Sequence, residues 1–126
     1  MEKKLVDSEL KVMNVIWREG DLPVKRIAEI LKEETGWNVN TTYTLIKRCI
    51  EKGAVERQEP NFVCHALVQR ETVQETEAES LLDRVFDGSA SMLFASLLSQ
   101  KKLSRKEIDE MRKLIDEMET AAAEES

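Results

Sequence analysis

The sequence has few of the residues that build sheets, disulfide frameworks or membrane spans. Among 126 residues there are only two cysteines, two prolines and four glycines, and aromatic residues make up 5%. This mixture favours helices over sheets. Two cysteines without a repeated spacing exclude a disulfide framework and indicate a reducing compartment. No apolar run approaches the roughly 20 residues of a membrane-spanning helix, and residues 1–10 are charged throughout, unlike a signal peptide. We therefore expect a cytoplasmic protein.

Motifs for catalysis and metal binding are also lacking. The sequence contains no phosphate-binding loop or nucleophile motif, and no carboxylate has the apolar flank or histidine partner of an acid–base catalyst. Cys49, Cys64 and His65 could suggest a metal site, but adjacent side chains on a strand point to opposite faces and make poor co-ligands. We therefore predict no enzymatic activity, no cofactor, no metal site and no small-molecule substrate, and we interpret both cysteines as structural.

Charge is distributed unevenly along the chain, whose net charge is −6. Residues 1–70 carry 12 Lys and Arg against 11 Asp and Glu, whereas residues 71–126 carry 7 against 14. This asymmetry suggests that the halves have different roles, with a basic patch for a ligand in the nearly neutral half. A solvated acidic surface without a binding role is the alternative.

The first half has the pattern of three helices followed by a hairpin. Apolar residues recur at helical spacing in residues 10–17, 24–31 and 42–50, and a glycine follows each stretch. Asp7 or Ser8 can cap the first helix, and Pro23 suits the first turn of the second. Two β-like runs, Ala54–Arg57 and Phe62–Val68, then flank the turn sequence QEPN. This order predicts a winged helix-turn-helix, in which the third helix enters the major groove of DNA.

The third predicted helix has two different faces. One is spaced for burial: Thr42, Leu45, Ile46, Cys49 and Ile50. The other has no apolar residue: Asn40, Thr41, Thr44, Lys47 and Arg48. Hydroxyl and amide groups bond phosphates and base edges, and arginine can bind guanine through two parallel hydrogen bonds. The pattern favours DNA recognition over the alternative of a plain exposed polar face.

The second half is predicted to be helical and to self-associate. Helical stripes of apolar residues fall in residues 78–85, 92–98 and 108–118, and SRKE at Ser104–Glu107 is a capping box. About 56 residues bury too little surface to be stable alone. The side chains expected at a dimer contact are Leu82, Val85, Phe86, Phe94, Leu97, Ile108, Met111 and Ile115. We predict a mainly α fold with a small β-hairpin, built from a winged helix-turn-helix domain (1–70) and a helical dimerisation domain (71–126).

The string WNVNTTYTLIKRCIEKGAVER resembles the signature of the penicillinase-repressor family of bacterial transcription regulators (the BlaI/MecI/CopY type). The matching positions are Trp37, Thr41, Thr44, Leu45, Ile46, Arg48, Lys52 and Gly53. The early LKVMNVIW and the later FDGS are also similar. The resemblance implies a homodimeric repressor of an inverted-repeat, double-stranded DNA operator, with DNA-facing roles for Thr41, Thr44 and Arg48. Asn40 and Tyr43 stand where some relatives have basic residues, which leaves the operator sequence open.

The resemblance also implies a switch. The best-known members are inactivated by proteolysis at an Asn-Phe bond after the FDGS-like motif, and the corresponding bond here is Ser96–Leu97. Because the residues at this bond differ from Asn-Phe, it stays open whether the chain is cleaved there and whether a membrane sensor protease is a partner. Copper-responsive members carry Cys-x-Cys pairs near the C-terminus, whereas this chain has no cysteine after position 64. The alternative from another class of function is a protein–protein adaptor, whose winged-helix lobe binds protein and not DNA.

Overall fold

A computed structural model describes residues 4–125; residues 1–3 and 126, which the predicted domains include, lie outside the described part. Its elements are α1 (Asp7–Glu19), β1 (Leu22–Pro23), α2 (Val24–Thr35), α3 (Val39–Glu51), β2 (Val55–Gln58), β3 (Val63–Ala66), α4 (Arg70–Val85), α5 (Ala90–Ser99) and α6 (Arg105–Glu125). The prediction of a mainly helical fold with a small β element is confirmed. The chain divides into two compact units between Thr76 and Glu77, within α4. None of the described helices is long and apolar enough to cross a membrane.

The first unit is built around one apolar core. Helices α1, α2 and α3 each bury one stripe of side chains, as their helical spacing predicts. The most deeply buried of these are Val12, Met13, Val15, Ile27, Leu31, Ile46 and Cys49. Each large apolar side chain removed from water contributes about 1.5–3 kcal/mol. This core fixes the direction in which the other face of α3 points.

The start of α1 differs from the prediction. Neither Asp7 nor Ser8 caps the helix, because the N-cap residue is Val6, which has no polar side chain. The Val6 N–H instead donates to Glu9 Oε1 at 2.9 Å, so a residue of the first helical turn satisfies the free backbone donor. The Glu9 carboxylate therefore takes the place of the expected N-cap side chain.

The sheet has one strand more than the predicted hairpin. β2 and β3 pair as an antiparallel hairpin in which Val55 lies opposite Ala66. β1 pairs with the other side of β3, where Leu22 lies opposite Cys64, and the order is β1-β3-β2. Pro23, expected in the first turn of α2, is its N-cap residue and ends the edge strand β1. Proline has no N–H to donate to a ladder, and it is tolerated here because the free side of an edge strand needs no such donor.

The second unit is helical and has no buried core of its own. The SRKE capping box is confirmed, since Glu107 N–H donates to Ser104 Oγ at 3.1 Å and Ser104 N–H donates to Glu107 Oε1 at 3.3 Å. Ser89 Oγ caps α5 by accepting from Met92 N–H at 3.1 Å. Between residues 77 and 125, no side chain is buried in the single chain. The large apolar residues that are exposed there are Leu81, Val85, Met92, Phe94, Leu98, Leu114, Ile115 and Met118.

Candidate nucleic-acid interface

α2 and α3 form the helix-turn-helix of the first unit. Gly36 ends α2 with φ 79°, a left-handed conformation that favours glycine. Asn38 then caps α3, because its Oδ1 accepts from Thr41 N–H at 2.9 Å. The end of α2 at Gly36 and the N-cap of α3 at Asn38 leave a turn of only three residues, which holds α3 against α2.

The two predicted faces of α3 are present in the structure. Four of the residues expected to be buried are at most 5% exposed, and Ile50 is half-buried. Thr42 is among the buried ones, and its hydroxyl has no hydrogen-bond partner within the described residues. The six side chains predicted to contact DNA are all exposed: Asn40, Thr41, Tyr43, Thr44, Lys47 and Arg48. The structure thus brings the six together on one outward surface, which we call the α3 face, while their binding role stays a prediction.

Two hydroxyl groups of the α3 face already donate their hydrogens within the chain. Thr44 Oγ1 donates to the Asn40 carbonyl at 3.0 Å, the common back-bond of threonine in a helix. Thr41 Oγ1 donates to Asn38 Oδ1 at 3.3 Å. In this arrangement both hydroxyls offer outside partners only acceptor lone pairs and a methyl group.

Among the described residues, the two cations of the α3 face have no close anionic partner, although the charge of Arg48 also helps to lower the pKa of Glu9. Within residues 4–125, neither Lys47 nor Arg48 forms an ion pair. Other cations of the first unit are paired: Arg18 lies 2.7 Å from Glu34, and Arg26 lies 3.2 Å from Glu29. Lys47 and Arg48 therefore present positive charge to solvent, where a polyanion could take it.

An ion pair between half-buried Lys52 and buried Glu9 anchors the C-terminal end of α3 to α1. Lys52 Nζ donates to Glu9 Oε1 at 2.6 Å and to the Lys4 carbonyl at 2.9 Å. Glu9 is 1% exposed. Burial raises the pKa of Glu9, but the hydrogen bonds from Lys52 and Val6 and the charges of Lys52 and Arg48 outweigh it, so that this pKa is lowered from the ordinary value. The pair fixes the position from which α3 extends.

Sequence reasoning used Lys52 only as part of the family signature and missed Glu9. A signal for Glu9 existed, because it lies three and four residues before Val12 and Met13, on the same stripe of α1. A charged residue on an apolar stripe needs a partner, and a lysine directly after α3 can supply it.

Basic side chains that the site prediction did not include also lie at the start of α2 and on the β2–β3 hairpin. Lys25 is exposed in the first turn of α2, which contains no acidic residue. On the hairpin, the Arg57 guanidinium lies over the Phe62 ring at 3.8 Å from its centroid and bonds Glu59 Oε1 through Nε at 2.6 Å. Basic residues at a helix start and on a hairpin could have been identified from the sequence, because a winged helix-turn-helix presents both elements.

The residues considered as metal ligands do not form a cluster. Cys64 is fully buried, while His65 on the next position of β3 faces outward and lies 2.9 Å from Asp21 Oδ1. Burial raises the pKa of the Cys49 thiol to about 12 and that of Cys64 to about 11, so both are protonated at neutral pH. The described residues contain no group of three or more potential ligands.

The family model of the penicillinase repressors matches residues 5–117. This chain belongs to the penicillinase repressor family. Among its relatives is the methicillin resistance regulatory protein MecI of Mammaliicoccus sciuri, 26% identical over 115 residues, which are 90% of this chain and 94% of the relative. The penicillinase repressor of Bacillus licheniformis is 27% identical over 116 residues, 90% of this chain and 91% of the relative. The family resemblance of the sequence is thereby confirmed.

The first unit is also similar to a solved structure. The solution structure of the DNA-binding domain of the repressor BlaI matches with a TM-score of 0.51 and 28% sequence identity, over 56% of this chain and 90% of that domain. The predicted winged helix-turn-helix fold is confirmed by this match. Membership of this repressor family also agrees with the absence of catalytic motifs from the sequence.

Proposed function

We propose that this protein is a transcriptional repressor that binds double-stranded DNA through the α3 face. The observation that carries the proposal is that six polar or aromatic side chains, with two unpaired cations, share the outer surface of a helix whose other side is buried. The names of the relatives MecI and penicillinase repressor, and the DNA-binding domain of BlaI, support it. In this arrangement α3 enters the major groove and α2 crosses the backbone.

The proposed contacts divide into those that position the protein and those that specify the sequence. Lys47 and Lys25 at the start of α2 would neutralise phosphates, with support for Lys25 from the positive end of the α2 dipole. Arg48 has the planar fork that binds the O6 and N7 atoms of guanine. Phosphate contacts fix the register, and base contacts carry the specificity.

The substitution Arg48→Ala is expected to weaken operator binding by about 1–3 kcal/mol and to relax the preference at one position of each half-site. Lys47→Ala is expected to weaken all sequences about equally, because a phosphate contact carries no sequence information. The measurement is fluorescence anisotropy at one fixed salt concentration, with an operator selected from random DNA and its single-base variants.

Lys106→Ala serves as the control for charge removal, because Lys106 is exposed on α6 in the other unit. Affinity should also fall steeply as salt rises, since phosphate neutralisation releases counterions. Binding by Arg48→Ala equal to the parent, or an affinity that does not change with salt, would contradict DNA recognition by the α3 face.

The second part of the proposal is that the chain binds DNA as a homodimer. Its support is the lack of any buried residue between 77 and 125, together with the exposed apolar side chains of α4, α5 and α6. The residues predicted for the dimer contact are all half-buried or exposed in the single chain, so that a second copy can cover them. A two-fold dimer presents two equal copies of α3, and its operator is therefore an inverted repeat.

Sedimentation velocity at micromolar concentration is expected to give a dimer for the full chain. Ile115→Glu should shift the protein towards monomer, because the interface would then bury an unpaired carboxylate. Glu117→Gln, an exposed neighbour on α6, is the matched control and should remain dimeric. A parent chain that sediments as a monomer at this concentration would rule out the proposed assembly.

Proteolytic release from DNA is the third part of the proposal. Ser96 and Leu97, the bond indicated by the family resemblance, lie half-buried in the ten-residue helix α5. A helix must open before a protease can bind it, and in the single chain no buried side chain of α5 opposes this opening. A membrane sensor protease is the proposed partner for this step, which would separate α6 from the DNA-binding unit.

A further inference from the structure

The α3 face contains apolar surface as well as polar groups. Residues four apart on a helix are neighbours, so the α3 face without Thr41, together with the adjoining Val39, forms two rows. One row is polar, with Asn40, Thr44 and Arg48. The other begins with Val39 and Tyr43, which are 39% and 40% exposed, and continues to Lys47 one turn later. The start of α3 thus presents an apolar surface directly beside its cations.

The core does not use these two side chains. Among the described residues, neither Val39 nor Tyr43 belongs to the buried core or to the half-buried residues packed against it. The nearby Trp37 does belong to that packed layer. Val39 and Tyr43 are therefore free to contact an outside partner without any rearrangement of the fold.

The position on α3 restricts what that partner can be. In a helix-turn-helix, the N-terminal residues of the recognition helix are those that contact base edges. On the edges of the bases in the major groove, the apolar group is the C5-methyl of thymine. The hydroxyl hydrogens of Thr41 and Thr44 are already engaged within the chain, so the threonine side chains at this end of the face do not compete for acceptors on the base edges.

From this geometry, and on the basis of the proposed function, we infer that Val39 and Tyr43 form an apolar contact that recognises a thymine methyl group in each half-site. The occupant of this surface is the major groove of DNA, because the surface is continuous with Lys47 and the polar row. The inference makes Val39 and Tyr43 specificity-determining residues whose chemistry differs from that of Arg48, which can donate to guanine.

Uracil differs from thymine only by lacking this methyl group, which makes it the direct probe. The full chain is titrated by fluorescence anisotropy against an operator selected from random DNA, with each thymine of one half-site replaced in turn by uracil. At one thymine position, or two adjacent ones, uracil is expected to weaken the parent about fourfold, the value of one buried methyl group. Uracil at the other thymine positions should bind like thymine.

The protein variants locate the contact. For Val39→Ala and Tyr43→Ala the thymine-to-uracil ratio at that position should fall towards one, while Tyr43→Phe, which keeps the ring, should retain the preference. Lys47→Ala is the matched control from the same row, because it should weaken thymine and uracil operators equally. Alanine is favourable on an exposed helix, and circular dichroism checks that the variants remain folded.

The outcomes separate this inference from the function on which it rests. If the parent binds its selected operator but treats uracil like thymine at every position, or if both alanine variants keep the parent's ratio, the methyl contact is wrong while DNA binding stands. A selected half-site without thymine would contradict the inference in the same way. If the parent binds no DNA, the proposed function fails and the inference fails with it.

Discussion

Truncation after Ser96 is expected to abolish operator binding at concentrations at which the full chain saturates the operator. The truncated chain lacks α6 (Arg105–Glu125) and the end of α5, and with them Leu97, Ile108, Met111 and Ile115 of the predicted dimer contact. In the proposed dimer, one bound copy of α3 holds the second near its half-site at high effective concentration. Loss of dimerisation removes this gain, on the order of 10²–10⁴ in affinity.

The DNA-binding unit is expected to remain folded in the truncated chain. Its core comes from residues between Leu5 and Val68, supported by Val73 of α4, and truncation after Ser96 removes none of them. Helical circular dichroism, in proportion to the remaining helices, is the folding control. A loss of DNA binding can then be attributed to the loss of the partner copy.

A shorter truncation gives the matched control. Removal of the residues after Thr120 shortens α6 but keeps every predicted dimer residue, and this chain should sediment and bind like the parent. The two truncated proteins and the parent are compared in one gel-shift titration, with sedimentation velocity at the same concentrations. If the chain ending at Ser96 binds within about threefold of the parent, dimerisation does not control binding.

The helices could be predicted because each follows from a local pattern. The buried stripe of α3 and its polar outer face have a period that can be counted directly in the sequence, and the structure agrees residue by residue. The capping box at Ser104–Glu107 was also predictable, since both of its hydrogen bonds join residues three apart.

The strand β1 could not be predicted in the same way. Leu22–Pro23 is only two residues long, and it is a strand because β3, some 40 residues later, places Cys64 opposite Leu22. A pattern in a short window contains no information on such a partner. The same holds for the N-cap of α1, where Val6 is satisfied by a carboxylate that is itself held by Lys52.

The contacts that cover the helices of the second unit could not be predicted from the sequence. Apolar periodicity predicts helices α4, α5 and α6, but it does not identify what covers them. In the single chain, the apolar residues of these three stripes are half-buried or exposed. An apolar stripe has the same spacing whether its partner is the same chain or a second copy. The pattern alone therefore does not distinguish a dimer from a monomer.

Lys52→Met is expected to destabilise the first unit strongly. This change leaves the Glu9 carboxylate, 1% exposed, without its cation. Removing one partner of a buried ion pair typically costs about 3–5 kcal/mol, because the remaining charge is not compensated. Urea unfolding of the full chain measures this cost, and its fluorescence reports on the first unit because both tryptophans, Trp17 and Trp37, belong to it.

A second substitution separates the cost of the lone charge from the loss of the pair itself. The double variant Glu9→Met with Lys52→Met removes both charges and replaces them with flexible apolar side chains. Such replacements of buried pairs are often neutral or stabilising, so the double variant should regain most of the lost stability. If it is as unstable as Lys52→Met, the unpaired carboxylate is not responsible, and the cause is packing or the loss of the hydrogen bond from the Val6 N–H to Glu9.

The pH dependence of the two proteins should have opposite signs. In the parent, the pKa of Glu9 is lowered on folding, so its contribution to stability is complete above the unfolded value, about 4.3, and is lost as pH falls through the folded value. Burial is the largest single influence on the pKa of Glu9, and it raises this pKa. In Lys52→Met the hydrogen bond and charge of Lys52 no longer oppose burial, so the pKa of Glu9 rises. The variant should then lose stability as pH rises through the range from the unfolded pKa to the raised folded one. Urea midpoints between pH 3.5 and 7 measure both trends, and parallel profiles would show that Lys52 does not hold the charge of Glu9 in the folded protein.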